Sequence, residues 1–340
     1  MLSFVNDYCE GMHPEILEKL AKINLEKQVS YGDDKYSKSA EKKIRQAAKC
    51  KDADVWFLAG GTQTNMVAID AFLEEYEGVV AAKTAHVALH ESGAIEYTGH
   101  KVLELPSYDG KIKAEDLEDY VKAYYADGNW DHMVTPGMVY ITQPTELGTL
   151  YSAKELKEIH KVCQKFKMPL YIDGARLAEA LAADPKTGLP EIAANCEAFY
   201  IGGNKCGAFY GEALVFTKNN TPKRFLSHIK QHGALLAKGW TVGVSFDVMF
   251  TDNLYVRGGE NANKCASKLR AALKKKGYKQ YIENKTNQVF VVMEDNAMKA
   301  LSKKVKFSFW EKLDAKHTVI RFVTSWATRM EEVDQLIELL

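Results

Sequence analysis

The sequence lacks the marks of a membrane protein or of a nucleic-acid-binding protein. Its 45 Lys and Arg residues balance 45 Asp and Glu residues, so no excess charge favours binding to nucleic acid or to an anionic membrane surface. No run approaches the roughly 18 apolar residues that span a bilayer, and residues 1–11 do not resemble a targeting segment. We therefore expect a cytoplasmic protein without nucleic-acid or membrane partners.

Cysteine is scarce and scattered. The 6 cysteines form no C-x-x-C pair and have no neighbouring histidine cluster. This distribution predicts reduced, mostly buried thiols, with neither a disulfide framework nor a metal site. Cys206 lies beside Lys205, but nothing near it in the sequence would activate its thiol, so we expect it to be a packing residue.

The length and the apolar pattern predict two domains. A chain of 340 residues exceeds the roughly 250–300 residues at which single cores stop growing. From about residue 54 to 216, short apolar runs alternate with amphipathic helical stretches, which is typical of βαβ units. We predict an α/β domain with a mainly parallel sheet over 1–245 and a small α+β domain over 246–340. The first residues could pack with the small domain.

Individual elements follow from the same patterns. Ser152, with Glu155 three positions later, predicts a capping box at the start of a helix that crosses between two parallel strands. A long helix is expected to end near Gly277, and another to close the chain. The expected strands include 55–58, 138–141, 169–172, 198–201, 213–216, 288–293, 304–310 and 318–323.

Two polar side chains follow neighbouring apolar runs. Asp173 comes directly after the run 169–172, and Lys205 follows the run 198–201 by four positions. Ligands of α/β sheets collect at the carboxyl ends of strands. Pyridoxal-5′-phosphate (PLP) needs a lysine amine to form an imine and a carboxylate to keep its pyridine nitrogen protonated. An aspartate that caps a helix and a surface lysine are an equally good interpretation of these two residues alone.

Two further strand ends add to this pattern. The sequence Gly-Gly-Thr at 60–62 precedes a helical pattern, where backbone N–H groups and a hydroxyl can approach a phosphate. Such a turn is common, and it is neither a Walker loop nor a G-x-G-x-x-G motif. His86 could stack on a pyridine ring or transfer protons, although an isolated histidine more often caps a turn. The order of these features with Asp173 and Lys205 favours a cofactor site.

Taken together, these motifs resemble one enzyme family from near the start of the chain to Thr324. The sequence is similar to the threonine aldolases and β-eliminating lyases, which are PLP enzymes with the aspartate-aminotransferase-like fold. The segments that carry the resemblance are Asn6-Asp7-Tyr8, Tyr31 to Tyr36, the Gly-Thr turn, Ala85-His86, Asp173-Gly174-Ala175-Arg176, Asn204-Lys205 and Ile320-Arg321-Phe322-Val323-Thr324.

The resemblance implies roles in cofactor binding. The residues concerned are the Schiff-base lysine Lys205, the ring-nitrogen partner Asp173, the stacking residue His86, the phosphate turn of Gly61 and Thr62, Arg176 at the phenolic oxygen, and Lys230, which crosses a dimer interface toward the phosphate. A homodimer or homotetramer with shared active sites is therefore expected.

The resemblance also implies substrate contacts. Arg321 matches the arginine that holds the substrate carboxylate, consistent with its planar fork of donors. Tyr36 lies in a loop that reaches a neighbouring subunit's site, and Asn6 stands where threonine aldolases often carry serine. Thr145 lies in a loop that faces the substrate's β-hydroxyl. This loop lacks the histidine that many of these aldolases carry, so the base for the hydroxyl proton is not identified.

The expected activity is PLP-dependent cleavage of L-β-hydroxy-α-amino acids, of the L-threonine or L-allo-threonine type, to glycine and an aldehyde. A β-eliminating lyase, a racemase and an aminotransferase remain alternatives, because PLP permits each reaction. A catalytically silent PLP-fold protein is opposed by the complete set of cofactor residues. A nucleotide-binding Rossmann enzyme is disfavoured because the first glycine turn lacks the dinucleotide pattern.

Overall fold

A seven-stranded sheet lies at the centre of the protein, whose computed structural model describes residues 1–340. The strands of the chain are β1 (Leu2–Ser3), β2 (Asp54–Leu58), β3 (Glu77–Ala82), β4 (Val102–Leu105), β5 (Thr135–Thr142), β6 (Leu170–Asp173), β7 (Ala198–Gly202), β8 (Glu212–Phe216), β9 (Gln288–Glu294), β10 (Val305–Lys306), β11 (Ser308–Lys312) and β12 (His317–Val323). The central sheet has the order β2-β8-β7-β6-β5-β3-β4.

This sheet is parallel except at β8, which runs antiparallel to both β7 and β2. The sequence pattern predicted parallel βαβ units as far as the run 213–216, but the strand that this run forms, β8, is antiparallel to its neighbours. Only residues 203–211 connect β7 to β8. A parallel crossover needs about a dozen residues or more, so this short connection returns as a hairpin.

Helices cover the sheet. They are α1 (Pro14–Ile23), α2 (Lys35–Ala47), α3 (Gly61–Phe72), α4 (His86–Leu89), α5 (Ala94–Tyr97), α6 (Ala114–Ala126), α7 (Ala153–Lys165), α8 (Leu177–Ala183), α9 (Leu189–Ala194), α10 (Phe225–Gln231), α11 (Trp240–Met249), α12 (Leu254–Lys275), α13 (Asp295–Ser302) and α14 (Met330–Leu339), with a 3₁₀ turn at Trp130–His132. The capping box of Ser152 and Glu155 is confirmed at the start of α7. None of the helices is both long and apolar enough to cross a membrane.

A second, smaller sheet has the order β11-β12-β9 and is antiparallel throughout. The expected strand 304–310 is divided into β10 and β11 at Phe307, whose ring packs on Phe322 with centroids 5.6 Å apart. β1 pairs with β10, and Phe4 packs in the core beneath this sheet. The amino terminus thus belongs to the packing of the smaller unit.

Two hydrophobic cores meet along α12. Tyr255, near its start, packs in the larger core, whereas Leu269 and Leu273 pack in the smaller core. The predicted division at 245/246 falls inside α11, and Phe246 of that helix belongs to the larger core. We therefore propose α12 as the junction of the two domains.

The thiols agree with the expectation from the sequence. All six cysteines are free, and those at 163, 196, 206 and 265 are buried. Cys206 is 1% exposed, and burial raises the pKa of its thiol well above the ordinary value. It is therefore a packing residue without thiolate character.

Candidate functional site

A mostly polar cavity of about 240 Å³ opens at the carboxyl ends of the parallel strands. β3, β5, β6 and β7 end at this edge because they run in the same direction. Seven of the residues predicted from the sequence line the cavity: Gly61, Thr62, His86, Thr145, Asp173, Arg176 and Lys205.

Asp173, the last residue of β6, is 3% exposed and is held by three hydrogen bonds. Its Oδ2 accepts from the Tyr140 hydroxyl at 2.6 Å and from Asn65 Nδ2 at 3.1 Å. Its Oδ1 accepts from the backbone N–H of Ala175 at 2.9 Å. These donors fix the orientation of the carboxylate at the cavity, where a pyridine N–H could bond to it.

Buried tyrosines on two neighbouring strands, β5 and β6, support this carboxylate. Burial, followed by the negative charge of Asp173, raises the pKa of Tyr140 well above its ordinary value, so its hydroxyl remains a neutral donor. The Tyr171 hydroxyl donates to Asn65 Oδ1 at 3.0 Å. That bond turns the amide of Asn65 so that its Nδ2 faces the carboxylate.

Lys205 lies in the loop after β7 and lines the cavity. Burial, followed by the positive charge of Arg176, lowers the pKa of its amine. A lowered pKa leaves more of the amine neutral, as a nucleophile requires. The loop is tied to Glu212, which accepts from Gly203 N at 2.6 Å and from Asn204 Nδ2 at 2.8 Å. A Cβ at Gly203 would lie 2.4 Å from the carbonyl oxygen of Gly211, so this close approach requires glycine.

The first turn of α3 has free donors that could hold an anion. α3 begins at Gly61, and no side chain caps its amino terminus. The free N–H groups of an uncapped helix start, together with the hydroxyl of Thr62, suit a phosphate. A Cβ at Gly61 would lie 3.1 Å from the Tyr200 hydroxyl, so a larger residue would crowd this turn.

His86 is oriented by two carboxylates. Its Nδ1 contacts Glu91 Oε1 at 2.7 Å, and its backbone N–H donates to Glu146 Oε1 at 2.8 Å. Glu91 Oε1 also accepts from Asn65 Nδ2 at 2.8 Å, which links His86 to Asp173 through one amide. A carboxylate at Nδ1 favours a proton there and leaves Nε2 as an acceptor.

The loop after β5 presents Glu146 to the cavity. Burial, with a smaller contribution from the charge of Asp173, raises the pKa of Glu146 to about 7. Its second oxygen accepts from the Thr142 hydroxyl at 3.1 Å. Thr145 lines the cavity, but its hydroxyl forms a hydrogen bond of 2.7 Å with the Thr149 hydroxyl and so stabilises the loop.

Arg176 is paired with a carboxylate from the amino terminus. Its Nε and Nη2 donate to the two oxygens of Asp7 at 2.6 and 3.1 Å. Burial alone would raise the pKa of Asp7, but the Arg176 guanidinium outweighs burial and the pKa lies below its usual value. Asn287 Nδ2 also donates to Asp7 at 2.8 Å. This pair brings residues 6–8 to the cavity edge.

Arg321 on β12 keeps part of its guanidinium unpaired. Nη1 donates to Gln288 Oε1 at 2.9 Å, and the guanidinium lies over the Trp310 ring, 5.5 Å from its centroid. Nε is buried without a partner. Burial, followed by the charge of Arg176, lowers the pKa of Arg321 to about 10, so it remains a cation at neutral pH. A buried cation with an unfilled donor suits a carboxylate.

Besides Arg321, three predicted residues do not line this cavity in a single chain. Asn6 Oδ1 accepts from Tyr8 N at 3.1 Å within its own turn. The Tyr36 hydroxyl donates to Glu26 Oε2 at 2.8 Å. Lys230 Nζ lies 5.4 Å from the Tyr31 ring centroid. The substrate role of Asn6 stays a prediction, and the roles of Tyr36 and Lys230 require a second chain.

Several supporting residues were not found from the sequence. The three strand-end tyrosines carried a signal, because Tyr-Ile occurs at 140–141, 171–172 and 200–201, just before three strands end. Asn65 lies one helical turn after Gly61, where it faces the same side of α3. No local pattern indicated the partners of Asp7 and Glu91, since only the folded chain brings them to Arg176 and His86.

The donor set of the cavity fits PLP. It combines an amine of lowered pKa at Lys205, a carboxylate at Asp173, an uncapped helix start at Gly61 and an imidazole at His86. These groups match an aldehyde, a pyridine nitrogen, a phosphate and a ring face, respectively. PLP carries all four of these features in one molecule.

A buried carboxyl behind this site predicts a pH-dependent stability. Glu179 is fully buried, and burial, followed by the charge of Asp7, raises its pKa from 4.5 to about 8. The folded state therefore holds a proton that the unfolded state releases, so stability is lost as the pH rises from about 4.5 to about 8. Glu179→Gln removes this loss, and the variant should exceed the wild type in free energy of unfolding by a few kcal/mol at pH 8, at about 1.4 kcal/mol per pKa unit.

Urea denaturation of the cofactor-free protein at pH 5, 6.5 and 8 measures this difference. The advantage of Glu179→Gln should grow with pH. Glu338→Gln, at an exposed position of α14, is the control and should show no such trend. A constant difference across the three pH values would contradict a protonated Glu179.

Comparisons with known proteins identify relatives of this chain. A family model described as beta-eliminating lyase matches residues 4–296. A low specificity L-threonine aldolase from a Pseudomonas species is 30% identical over 338 residues, covering 98% of this chain and 95% of that protein. The structure of a threonine aldolase from Leishmania major is 38% identical with a TM-score of 0.96, covering 100% of this chain and 98% of that one. An aspartate aminotransferase from Thermus thermophilus, 13% identical with a TM-score of 0.72 over 100% of this chain and 90% of its own, shares the fold.

Proposed function

The chain belongs to the β-eliminating lyase family, and on this premise we propose that it is a PLP-dependent carbon–carbon lyase that cleaves L-β-hydroxy-α-amino acids of the threonine type to glycine and an aldehyde. The observation that carries the proposal is the meeting of Lys205, Asp173 and the start of α3 in one cavity. The similarity to threonine aldolases over nearly the whole chain supports the reaction.

Different residues of the chain would bind different parts of the cofactor. Lys205 would bind it covalently, Asp173 would keep the ring nitrogen protonated, and His86 would cover the ring face. Gly61 and Thr62 would hold the phosphate at the helix start, and Arg176, oriented by Asp7, would contact the phenolic oxygen. When bound, PLP supplies an electron sink for the bond broken at Cα.

Substrate binding depends on Arg321. Its guanidinium holds the α-carboxylate and thereby orients the Cα–Cβ bond relative to the cofactor ring, which selects the bond that breaks. Glu146 accepts from the backbone N–H of His86 and so holds the loop after β5 against α4. This contact keeps the substrate side of the cavity in one geometry.

Product analysis tests the reaction. The holoenzyme is incubated with L-threonine, L-allo-threonine and phenylserine, and glycine and the aldehyde should appear in equal amounts. A β-eliminating lyase would release ammonia and a keto acid, an aminotransferase would need a keto-acid acceptor, and a racemase would invert Cα without cleavage. Any of these results without glycine formation would replace the proposed reaction.

Arg321→Lys should raise the dissociation constant of glycine by about 10-fold or more, because an ammonium cannot form two parallel hydrogen bonds to a carboxylate. PLP content should not change, since the cofactor contacts lie elsewhere. Arg329→Lys, at an exposed position paired with Glu332, is the matched control. Spectroscopic titration with glycine measures both variants, and an unchanged constant for Arg321→Lys would exclude the clamp.

A homodimer or homotetramer with shared sites is part of the proposal. Val29, Tyr31 and Leu226, which are 59%, 52% and 49% exposed, line one groove suited to a second copy, and Lys230 Nζ lies 5.4 Å from the Tyr31 ring centroid. Sedimentation of the holoenzyme should give at least a dimer, and Lys230→Ala should weaken PLP binding while Lys238→Ala does not. A fully active monomer would remove Lys230 and Tyr36 from the site.

A cytoplasmic location of the protein remains a prediction.

A further inference from the structure

A second histidine, the C-cap residue of α4, lies between His86 and Trp310 of the smaller sheet. His90 follows the last turn of α4, and its ring centroid is 5.7 Å from that of His86. On its other side it lies 6.5 Å from the Trp310 ring, which Arg321 covers at 5.5 Å. His90 thus lies between the residue that covers the cofactor ring and the residue that holds the substrate carboxylate.

The neighbouring titratable side chains, His86 and Glu146, already form hydrogen bonds within the protein. His86 Nδ1 bonds to Glu91 at 2.7 Å, and both oxygens of Glu146 accept hydrogen bonds, from His86 N and from Thr142. The side chain of His90 has no such bond in the chain. Its imidazole is therefore free to accept a proton from a ligand.

We propose that His90 is the catalytic base that takes the β-hydroxyl proton of the substrate. The inference rests on the proposed function, because it names the proton acceptor for that cleavage. The O–H bond breaks and its proton goes to the imidazole, while the O–H electron pair forms the carbonyl of the aldehyde. The electron pair of the Cα–Cβ bond remains on the glycine half, where a proton later replaces the lost carbon.

The charge state of His90 suits this role. The His90 side chain is exposed to solvent, but partial desolvation, followed by electrostatic repulsion from His86 on α4 and Arg321 on β12, lowers its pKa below the ordinary value of 6.5. The imidazole is therefore neutral at neutral pH and can accept a proton. The proton acceptor also lies beside the carboxylate clamp, so a substrate held by Arg321 presents its side chain to His90.

The test separates cleavage from the steps that need no β-hydroxyl. His90→Asn should lower kcat for phenylserine by about 100-fold or more. Its glycine dissociation constant and its rate of Cα–H exchange of glycine in D₂O should stay within about threefold of wild type, since glycine has no β-hydroxyl. His132→Asn, at an exposed histidine of the 3₁₀ turn, is the matched control.

Two pH measurements complete the test. The acidic limb of kcat/KM in the wild type should disappear in His90→Asn. In the cofactor-free protein, the imidazole resonance that is missing from His90→Asn should titrate below pH 6.5 in the wild type. This second measurement does not depend on activity.

Three results would overturn the inference. Unchanged cleavage in His90→Asn would show that another group accepts the proton, and a parallel fall in cleavage and glycine exchange would show a structural role. A wild type that exchanges the Cα proton of glycine but cleaves no β-hydroxy amino acid would overturn the proposed function and, with it, this role of His90.

Discussion

Lys205→Ala is expected to abolish covalent attachment of PLP and to lower aldol cleavage by about 10³-fold or more. Lys205 is the lysine that lines the cavity. Hydrogen bonds to Glu212 hold its loop, and the pKa of its amine is lowered. Alanine removes the nucleophile without disturbing β7 or β8, so noncovalent binding through Asp173 and the phosphate turn should survive.

Borohydride reduction followed by peptide mass analysis checks the prediction. The wild type should carry the reduced cofactor on the peptide that contains Lys205, and Lys205→Ala should carry none. Lys83→Ala is the matched control, because Lys83 is exposed just after β3 at the same edge of the sheet. A reduced adduct at another lysine in the Lys205→Ala variant would show that the anchor lies elsewhere.

Asp173→Asn is the second large effect, and it should leave PLP bound while cleavage falls by orders of magnitude. A neutral amide cannot keep the pyridine nitrogen protonated, so the electron sink is lost. The amide also has a structural cost here. All three neighbours of the carboxylate, Tyr140, Asn65 and the N–H of Ala175, are donors, and the NH₂ group of asparagine leaves one unpaired at about 1–3 kcal/mol.

Steady-state cleavage and PLP content measured on the same preparations separate these effects. Tyr140→Phe is the graded comparison, because it removes one donor to the carboxylate and retains the charge, so its loss should be much smaller. If Asp173→Asn kept more than a tenth of the activity, the loss of transition-state stabilisation would be below about 1.4 kcal/mol. That value is too small for a residue that protonates the ring.

Residues that act through local sequence were predictable. Apolar runs of β propensity marked β5, β6 and β7, and ligand-binding residues follow such runs because the carboxyl ends of parallel strands meet at one edge. This argument placed Asp173 and Lys205 in one site, and the cavity contains both. The start of α7 was equally predictable, since a capping box is a contact within four residues.

Residues that act through distant partners were not predictable. The role of Arg176 at the cofactor stays a prediction, but the sequence did not show that two of its donors go to Asp7, 169 positions earlier in the chain. The sequence also did not show that α12 packs in both cores, because an amphipathic pattern shows that a helix is buried but does not show which core buries it.

Local sequence patterns predicted many of the strands and helices, though not β3 or β4, together with the polar residues at the strand ends and the resemblance to a family of PLP enzymes. Tertiary structure alone decided the direction of β8, the pairing of Arg176 with Asp7 and the approach of His90 to Trp310 and Arg321. The physical reason is that apolar periodicity and turn residues are local, whereas strand direction and ion-pair partners depend on how distant segments pack. The proposed base belongs to this second class, because only the folded chain brings His90 near Trp310 and Arg321.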